Sequence, residues 1–293
     1  MNTSLDTPPI FKYLQPHGFD ASTGTWKARP GPQPPLADRL TLVTYNLWFN
    51  EHRWQERSDA LLRLARNCDP DIIGFQEVTP RHLARILAED WVRREYQVSD
   101  VAGSTLEPHG VLLLSRLPVN SLALCHLPSH KYRKLMVGEL ETADGAMCVA
   151  TVHLESSALS FAVRLEQLDR ILPSLRATRH AVLMGDFNFD PRDRAEQSRI
   201  EPGYTDLWPA LHSGQPGYTV DSALNEMRLL HKQRHTRARF DRILLRSAGS
   251  RWEPESIRII GAQPISPADP QVYPSDHFGL VGVISRRQGT GRG

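Results

Sequence analysis

The residues of this chain that could do chemistry stand where apolar runs stop. Val182-Leu-Met-Gly-Asp-Phe-Asn-Phe-Asp190 is the clearest case, an apolar run that breaks at Gly185 and at once presents Asp186 and Asn188. A buried strand ending this way offers one acid-base group and one orienting group, which suits activation of a water or the holding of a phosphate. The pattern recurs at Val43-Thr-Tyr-Asn46, Ile72-Ile-Gly-Phe-Gln-Glu77, Val149-Ala-Thr-Val-His153 and Tyr273-Pro-Ser-Asp-His277, and Asp241 opens a further apolar run. Glu77 follows directly on an interior strand, an expensive place for an unpaired carboxylate, and a bound cation is the usual remedy.

Asn46, Glu77, His153, Asp186, Asn188, Asp241, Asp276 and His277 together are rich in oxygen donors. Such a set suits a hard cation, and an open octahedral ion held by one or two carboxylates is the habit of Mg²⁺, with Mn²⁺ as its substitute. Zinc is disfavoured, because the chain has no H-E-x-x-H and no cysteine pair. There is no G-x-S-x-G and no G-x-x-x-x-G-K-[ST] either. A cation polarising a phosphoryl oxygen, an aspartate taking a proton from water and a histidine near the developing charge would make a metal-assisted phosphoester hydrolase in which water attacks directly.

The elements that must position these residues follow from periodicity. Strands are predicted at Leu40–Tyr45, Asp71–Glu77, Tyr96–Val101, His109–Leu114, Val119–Leu124, Leu135–Leu140, Ala146–His153, Phe240–Leu245 and Phe278–Ile284, besides the one that ends in Asp186. Their short connections suggest antiparallel or mixed pairing. Helices are predicted at Trp54–Cys68, stopped by Asp69-Pro70, at His82–Trp91, and at Phe161–Leu175 with Ser160 as its N-cap. Shorter ones are expected at Arg192–Ile200 and Asp206–Leu211. Residues 1–38 read as an N-terminal arm, proline-rich at 28–35, whose aromatics Phe11, Tyr13, Phe19 and Trp26 lie against a domain spanning 39–285. Residues 286–293 read as a flexible tail.

The 293 residues, 40% of them hydrophobic, suffice for a large single core. No apolar run is long enough to span a membrane, and the N-terminal residues have neither the basic start nor the apolar stretch of a secretory signal, so an intracellular protein is expected, most simply a cytoplasmic one. The three cysteines, odd in number and without metal-ligand spacing, read as reduced structural thiols. A net charge of +2 is too mild to imply a polyanionic partner by itself. The densest cationic stretch, His231 to Arg239, adjoins the carboxylate of Asp241, so Lys232, Arg234, Arg237 and Arg239 are expected to face substrate phosphate.

Tyr45-Asn46, Phe75-Gln-Glu-Val78, His153-Leu-Glu-Ser156, Gly185-Asp-Phe-Asn188, Arg239-Phe-Asp-Arg-Ile243 and Pro274-Ser-Asp-His-Phe-Gly279 fall in the order and spacing of the endonuclease/exonuclease/phosphatase superfamily. Within it the chain most resembles the 5′-tyrosyl-DNA phosphodiesterases, through His153-Leu-Glu-Ser-Ser157, Gly217-Tyr-Thr219 and the last two motifs. The resemblance implies a DNase I-like α/β fold, a four-layer α/β/β/α sandwich of two mixed β-sheets packed face to face with helices outside, and an active site at one end. It implies Glu77 as the main metal ligand, helped by Asn46 and Asp276. Asp186 would activate water and Asn188 orient it. His277, paired with Asp241 or Asp276, and His153 would stabilise the phosphoryl oxygens, and Ser156 would contact the phosphate. The chain departs from that branch at Trp48, Phe187, Val220 and Ala158, where the branch carries an acid, a threonine, a tryptophan and an arginine. The expected function is a Mg²⁺-dependent phosphodiesterase acting on a nucleic-acid end or 5′-tyrosyl adduct. The alternatives are hydrolysis of a small phosphoester, such as a phospholipid headgroup, nucleotide or sugar phosphate, on the same core, and a binding module without catalysis.

Overall fold

The computed structural model describes residues 10–28, 37–200 and 203–287. They form a four-layer α/β/β/α sandwich, two mixed β-sheets face to face with helices outside. Among the described residues one sheet has seven strands, in the order Phe11–Leu14, Ser121–His126, Lys134–Thr142, Gly145–His153, His180–Asp186, Asp241–Ser247 and Tyr204–Asp206. The other has eight, in the order Trp252–Ile260, Gly279–Arg286, Arg39–Asn46, Ile72–Val78, Gly110–Ser115, Gln97–Val98, His17–Asp20 and Thr25–Ala28.

Each sheet contains one parallel pair joined through a helix. Helix Trp54–Asn67 connects Arg39–Asn46 to Ile72–Val78, and helix Phe161–Ser174 connects Gly145–His153 to His180–Asp186. These strands are covered on both faces, which is why they read as nearly continuous apolar runs. Their alternation still sorts the side chains. Leu42, Ile72, Val149, Val182 and Met184 fill the core between the sheets. Val43, Tyr45, Ile73 and Phe75 pack outward on Leu61, Leu62, Leu83 and Ile86, and Ala150, Val152, Ala181 and Leu183 pack outward on Leu168, Ile171 and Leu172. At one end the sheets are stitched by Gln76, whose Nε2 donates to Thr44 Oγ1 and, across the sandwich, to Thr151 Oγ1, each at 3.0 Å. Cys125 and Cys148 are buried and Cys68 half-buried, all as free thiols.

Some elements differ from expectation. Residues 11–28, read as part of an arm, supply edge strands to both sheets: Phe11–Leu14 pairs with Ser121–His126, and His17–Asp20 pairs with Gln97–Val98 and Thr25–Ala28. Trp252–Ile260 is an additional edge strand whose pattern is broken by charges and by a bulge at Pro254, a residue the edge of a sheet tolerates. The helix expected over His82–Trp91 is two, Pro80–Ala88 and Asp90–Glu95, because Glu89 between them is extended. Ser160 makes no side-chain cap; a 3₁₀ turn at Ala158–Ser160 precedes the helix, and Ser157 caps that turn by accepting from Leu159 N. Of the proline-rich stretch and the tail, residues 29–36 and 288–293 lie outside the described residues.

Candidate active site

Sheet pairing brings the chemically able side chains together. Asn46 lies opposite Gln76 at the ends of one parallel pair, and His153 lies opposite Asp186 at the ends of the other. Asp186 is in turn opposite Asp241, the first residue of its antiparallel neighbour. Asp276 and His277 immediately precede Gly279–Arg286, which runs antiparallel to Arg39–Asn46 and therefore starts at the same end. A cleft of about 720 Å³ opens there, with Glu77, His153, Ser156, Asp186, Asn188, Asp276, His277, Lys232 and Arg234 among its lining residues.

Local backbone aims these groups. Glu77 sits at a β-bulge, where the register shifts between Phe75 and Val78, with a left-handed φ of 57°. Asn188 is also left-handed, at 54°. Such conformations cost about 1–3 kcal/mol each and persist where surrounding structure over-determines them. Gly185, at φ 141°, is required by contact: a Cβ there would stand 2.0 Å from the carbonyl oxygen of Val152 on the paired strand.

Asp186 is the centre of the network. Its Oδ1 accepts from Asn188 N at 2.9 Å and its Oδ2 from Asn46 Nδ2 at 3.0 Å. His153 Nε2 stands 3.3 Å from the same Oδ2. On the far side of that ring, Arg133 Nη1 is 2.8 Å from His153 Nδ1. A guanidinium can only donate, so Nδ1 is the acceptor and the ring's proton is on Nε2, facing Asp186. Burial, then the charge of Arg133, hold His153 well below the usual imidazole range, in keeping with a neutral ring.

His277 is the opposite case. Its Nδ1 is 2.9 Å from Asp241 Oδ2, its Nε2 is 3.9 Å from Asp186 Oδ2, and all three residues are buried. Burial acts to lower its pKa, but the combined fields of Asp241, Asp186 and Asp276 prevail and push it up to about 9, so the ring is an imidazolium at neutral pH. The pairing left open between Asp241 and Asp276 is thus with Asp241. Thr219 of the Gly217-Tyr-Thr stretch fixes this corner, its Oγ1 accepting from Phe240 N and Asp241 N while its carbonyl accepts from Phe278 N.

Glu77 has the environment of a cation ligand. Among the described residues its Oε2 accepts from Phe49 N, at 3.2 Å, and burial followed by the repulsion of Asp276 raises its pKa. A carboxylate destabilised in this way, beside a second carboxylate and with oxygen donors around it, fits a hard divalent ion. The neighbours are less free than expected. Asp276 Oδ2 is taken by Arg228 Nη1 at 2.7 Å, which leaves Oδ1 for an ion. Asn46 spends its Nδ2 on Asp186 and one lone pair of Oδ1 on Trp48 N. Asp186, Asp241 and His277 also lie close enough to share an ion, but the Asp241–His277 hydrogen bond and the raised pKa of His277 make a charge pair the better description.

The basic run divides. Lys232 and Arg234 line the cleft, Lys232 with its Nζ 3.7 Å from Asp276 Oδ2, whereas Arg239 is buried against Asp206, its Nη1 at 2.7 and 2.9 Å from the two carboxylate oxygens, and Arg237 pairs with Asp221 at 3.0 Å and lies over the Tyr218 ring. Arg237 and Arg239 are therefore engaged with carboxylates and are not among the residues lining the cleft. Proximity to Asp241 along the chain misled because Asp206 and Asp221, both largely buried carboxylates, need counter-ions of their own. Ser156 is in the cleft, accepting from Lys131 Nζ at 2.6 Å. Trp48 is buried against Met227, Val272, Tyr273 and Phe278, well away from the role of an acid.

Arg133, Lys131 and Arg228 were not anticipated. The first two lie in Lys131-Tyr-Arg-Lys134, a short basic run entering a strand, and that adjacency was the available signal. Arg228, on helix Glu226–Lys232, had none.

Against known proteins, the chain is 28% identical over 254 residues to tyrosyl-DNA phosphodiesterase 2 of Xenopus laevis, covering 83% of this chain and 65% of that protein. It is 25% identical over 274 residues to the Homo sapiens protein of that name, covering 89% and 72%. This chain thus spans about two thirds of the length of these relatives. The D. rerio tyrosyl-DNA phosphodiesterase 2, solved with single-strand DNA product, superposes with a TM-score of 0.70 at 21% identity over 85% of this chain and 100% of that one. An endonuclease/exonuclease/phosphatase from Bacteroides vulgatus gives 0.65 at 17% identity over 85% and 99%. Both support the same DNase I-like sandwich. The model of the Endonuclease/Exonuclease/phosphatase family matches residues 43–277, from the strand that ends in Asn46 to the histidine that pairs with Asp241, and to that family this chain belongs.

Proposed function

We infer that this protein is a phosphodiesterase dependent on a divalent cation, Mg²⁺ in the first place with Mn²⁺ as substitute, and that its substrate is a nucleic-acid end, a 5′-tyrosyl adduct above all. The observation that carries the reading is the convergence on Asp186: a carboxylate on the cleft wall held by Asn46, Asn188 and His153, with a charged His277 beside it. The names of the tyrosyl-DNA phosphodiesterase relatives support the choice of substrate.

Glu77 would hold the ion, with Asp276 Oδ1 and the remaining lone pair of Asn46 beside it. When bound, the ion polarises the phosphoryl oxygens and offsets their charge in the transition state. The residues of the chain do the rest. Asp186 accepts a proton from the attacking water, and Asn188, anchored through Nδ2 to Leu154 O at 3.0 Å, orients that water. His277 supplies positive charge to the developing oxyanion, Ser156 contacts the phosphate, and His153 steadies Asp186 through its Nε2–H. Lys232 and Arg234 attract the flanking phosphates.

One observation favours the alternative of a small phosphoester. With Arg237 and Arg239 bound to carboxylates, the cationic surface is shorter than a long strand would use. The deciding measurement is hydrolysis of a 5′-phosphotyrosyl oligonucleotide with Mg²⁺, with EDTA, and against a phospholipid and a sugar phosphate. Release of tyrosine that EDTA abolishes is expected. Cleavage in EDTA, or of the small phosphoesters alone, would overturn the reading.

A further inference from the structure

The mouth of the cleft carries an aromatic surface that the chemistry at Asp186 leaves unused. Phe49 lines the cleft and is 45% exposed, and it belongs to none of the buried clusters of the core. Its ring lies against His109, centroids 5.0 Å apart and planes 17° from parallel, which leaves its other face open. Phe161, 50% exposed, lines the same cleft.

Phe49 is also held rigidly. Arg57 Nη2 donates to the carbonyls on either side, Trp48 O at 3.3 Å and Asn50 O at 2.6 Å, and Arg57 Nε donates to His52 O at 2.7 Å. Phe49 N itself donates to Glu77 Oε2. These bonds restrain the backbone at Phe49, and stacking on His109 restrains its side chain. His109 is held down at about 4 by burial and by Arg133 and Lys134, so it backs Phe49 as a neutral ring. An apolar ring 45% exposed, backed by His109 and carried on backbone that is hydrogen-bonded to Glu77, has little entropy left to lose on binding. Aromatic faces of this kind bind planar rings with little regard to sequence.

We propose that Phe49, backed by His109, is a stacking platform for a planar aromatic group adjoining the scissile phosphate. The inference rests on the proposed function and specifies how its substrate is gripped. The ring can come from the first nucleobase or from an aryl leaving group. Both present the same chemistry to Phe49, and the substrates below distinguish them.

The test is steady-state kinetics of the wild type, Phe49→Ala and Phe49→Trp in Mg²⁺ on three substrates. These are a 5′-phosphotyrosyl oligothymidine, the same strand with an abasic first nucleotide, and the same strand with a hexyl group in place of tyrosine. On the first, Phe49→Ala is expected to raise KM about ten- to a hundred-fold, the range of a lost stacking contact, with the loss in KM more than in kcat and recovered in Phe49→Trp. The loss should disappear on the abasic strand if the partner is the base, or on the hexyl strand if it is the leaving group. An equal loss on all three would mean that Phe49 acts through the Glu77 loop, and no loss on the first would mean no stacking; either overturns the proposal. A wild type that cleaves none of the three would overturn the proposed function itself, and this inference with it.

Discussion

At Asp186 three donors converge on one carboxylate, so a single-atom change there is a sharp probe. In Asp186→Asn either the amide nitrogen faces the Asn46 and His153 donors, or it flips and confronts Asn188 N. Both arrangements set donor against donor, and the proton acceptor is gone. Turnover is expected to fall by about two to three orders of magnitude, measured as tyrosine release; a variant keeping more than about a tenth of wild-type turnover would show that another group takes the proton. His277 gives a second prediction at this scale. Its folded pKa, about 9, is above the unfolded value of about 6.5. The stability it contributes is therefore complete below the unfolded pKa and is lost as pH rises through about 9. With chelator present, urea midpoints of the wild type should decline between pH 7 and 9.5, and those of His277→Gln should decline less. Parallel curves would mean that the imidazolium–Asp241 pair adds nothing to folding.

Elements set the geometry that these residues use. The parallel pairing of Gly145–His153 with His180–Asp186 delivers His153 and Asp186 side by side, and at Gly185 the neighbouring strand leaves no room for a Cβ. Gly185→Ala combines a positive φ with a direct clash. It should cost at least about 3 kcal/mol, seen as a lower urea midpoint, and a variant as stable as the wild type would mean that the strands can part at no cost. The helix Pro80–Ala88, which follows the Glu77 bulge, carries a pH-dependent device of its own. Trp54 Nε1 donates to His82 Nε2 at 2.8 Å, so a second ring proton would face the indole N–H. Burial, followed by the charges of Arg57 and Arg81, keeps His82 down at about 3. For a histidine depressed in the folded state, the unfolded chain takes up a proton first, so stability is lost as pH falls below about 6.5. With Nε2 accepting, the ring proton is on Nδ1, facing Thr79 Oγ1 at 3.0 Å, and His82→Gln keeps a neutral polar side chain at this N3 position. It should flatten the acid side of the stability profile between pH 6.5 and 4, and an unchanged slope would assign the acid sensitivity elsewhere.

Across the whole molecule, the two sheets place one cationic wall at the cleft and spend other cations on internal carboxylates. Lys232→Ala with Arg234→Ala should weaken binding of a single-stranded oligonucleotide and flatten its log–log salt dependence by about 1.4, or about 0.7 per neutralised phosphate. Arg239→Ala should instead lower thermal stability, because it removes the two close contacts to the largely buried Asp206 carboxylate and leaves it the more distant Arg242 Nη1, at 3.9 Å. A salt slope that Arg239 changes and Lys232 with Arg234 do not would reverse this division. Among the described residues no helix is long and apolar enough to cross a membrane.

Local pattern in the sequence determined the buried strands and the polar residues that meet at their ends, because each of these closes or opens an apolar run and strands covered on both faces leave a continuous hydrophobic signature. Asn46, Glu77, His153, Asp186, Asp241 and His277 were legible for that reason. The edge strands at 11–28 and Trp252–Ile260 were not, since an edge covers fewer residues and tolerates charge and proline. Only the tertiary structure decided partners. Nothing in the run from His231 to Arg239 tells which cations meet Asp206, Asp221 or the cleft, and nothing near His153 reveals that Arg133, twenty residues earlier, sets its tautomer. Burying a charge makes its counter-ion obligatory, and which residue serves depends on distances across the two sheets that no stretch of chain contains.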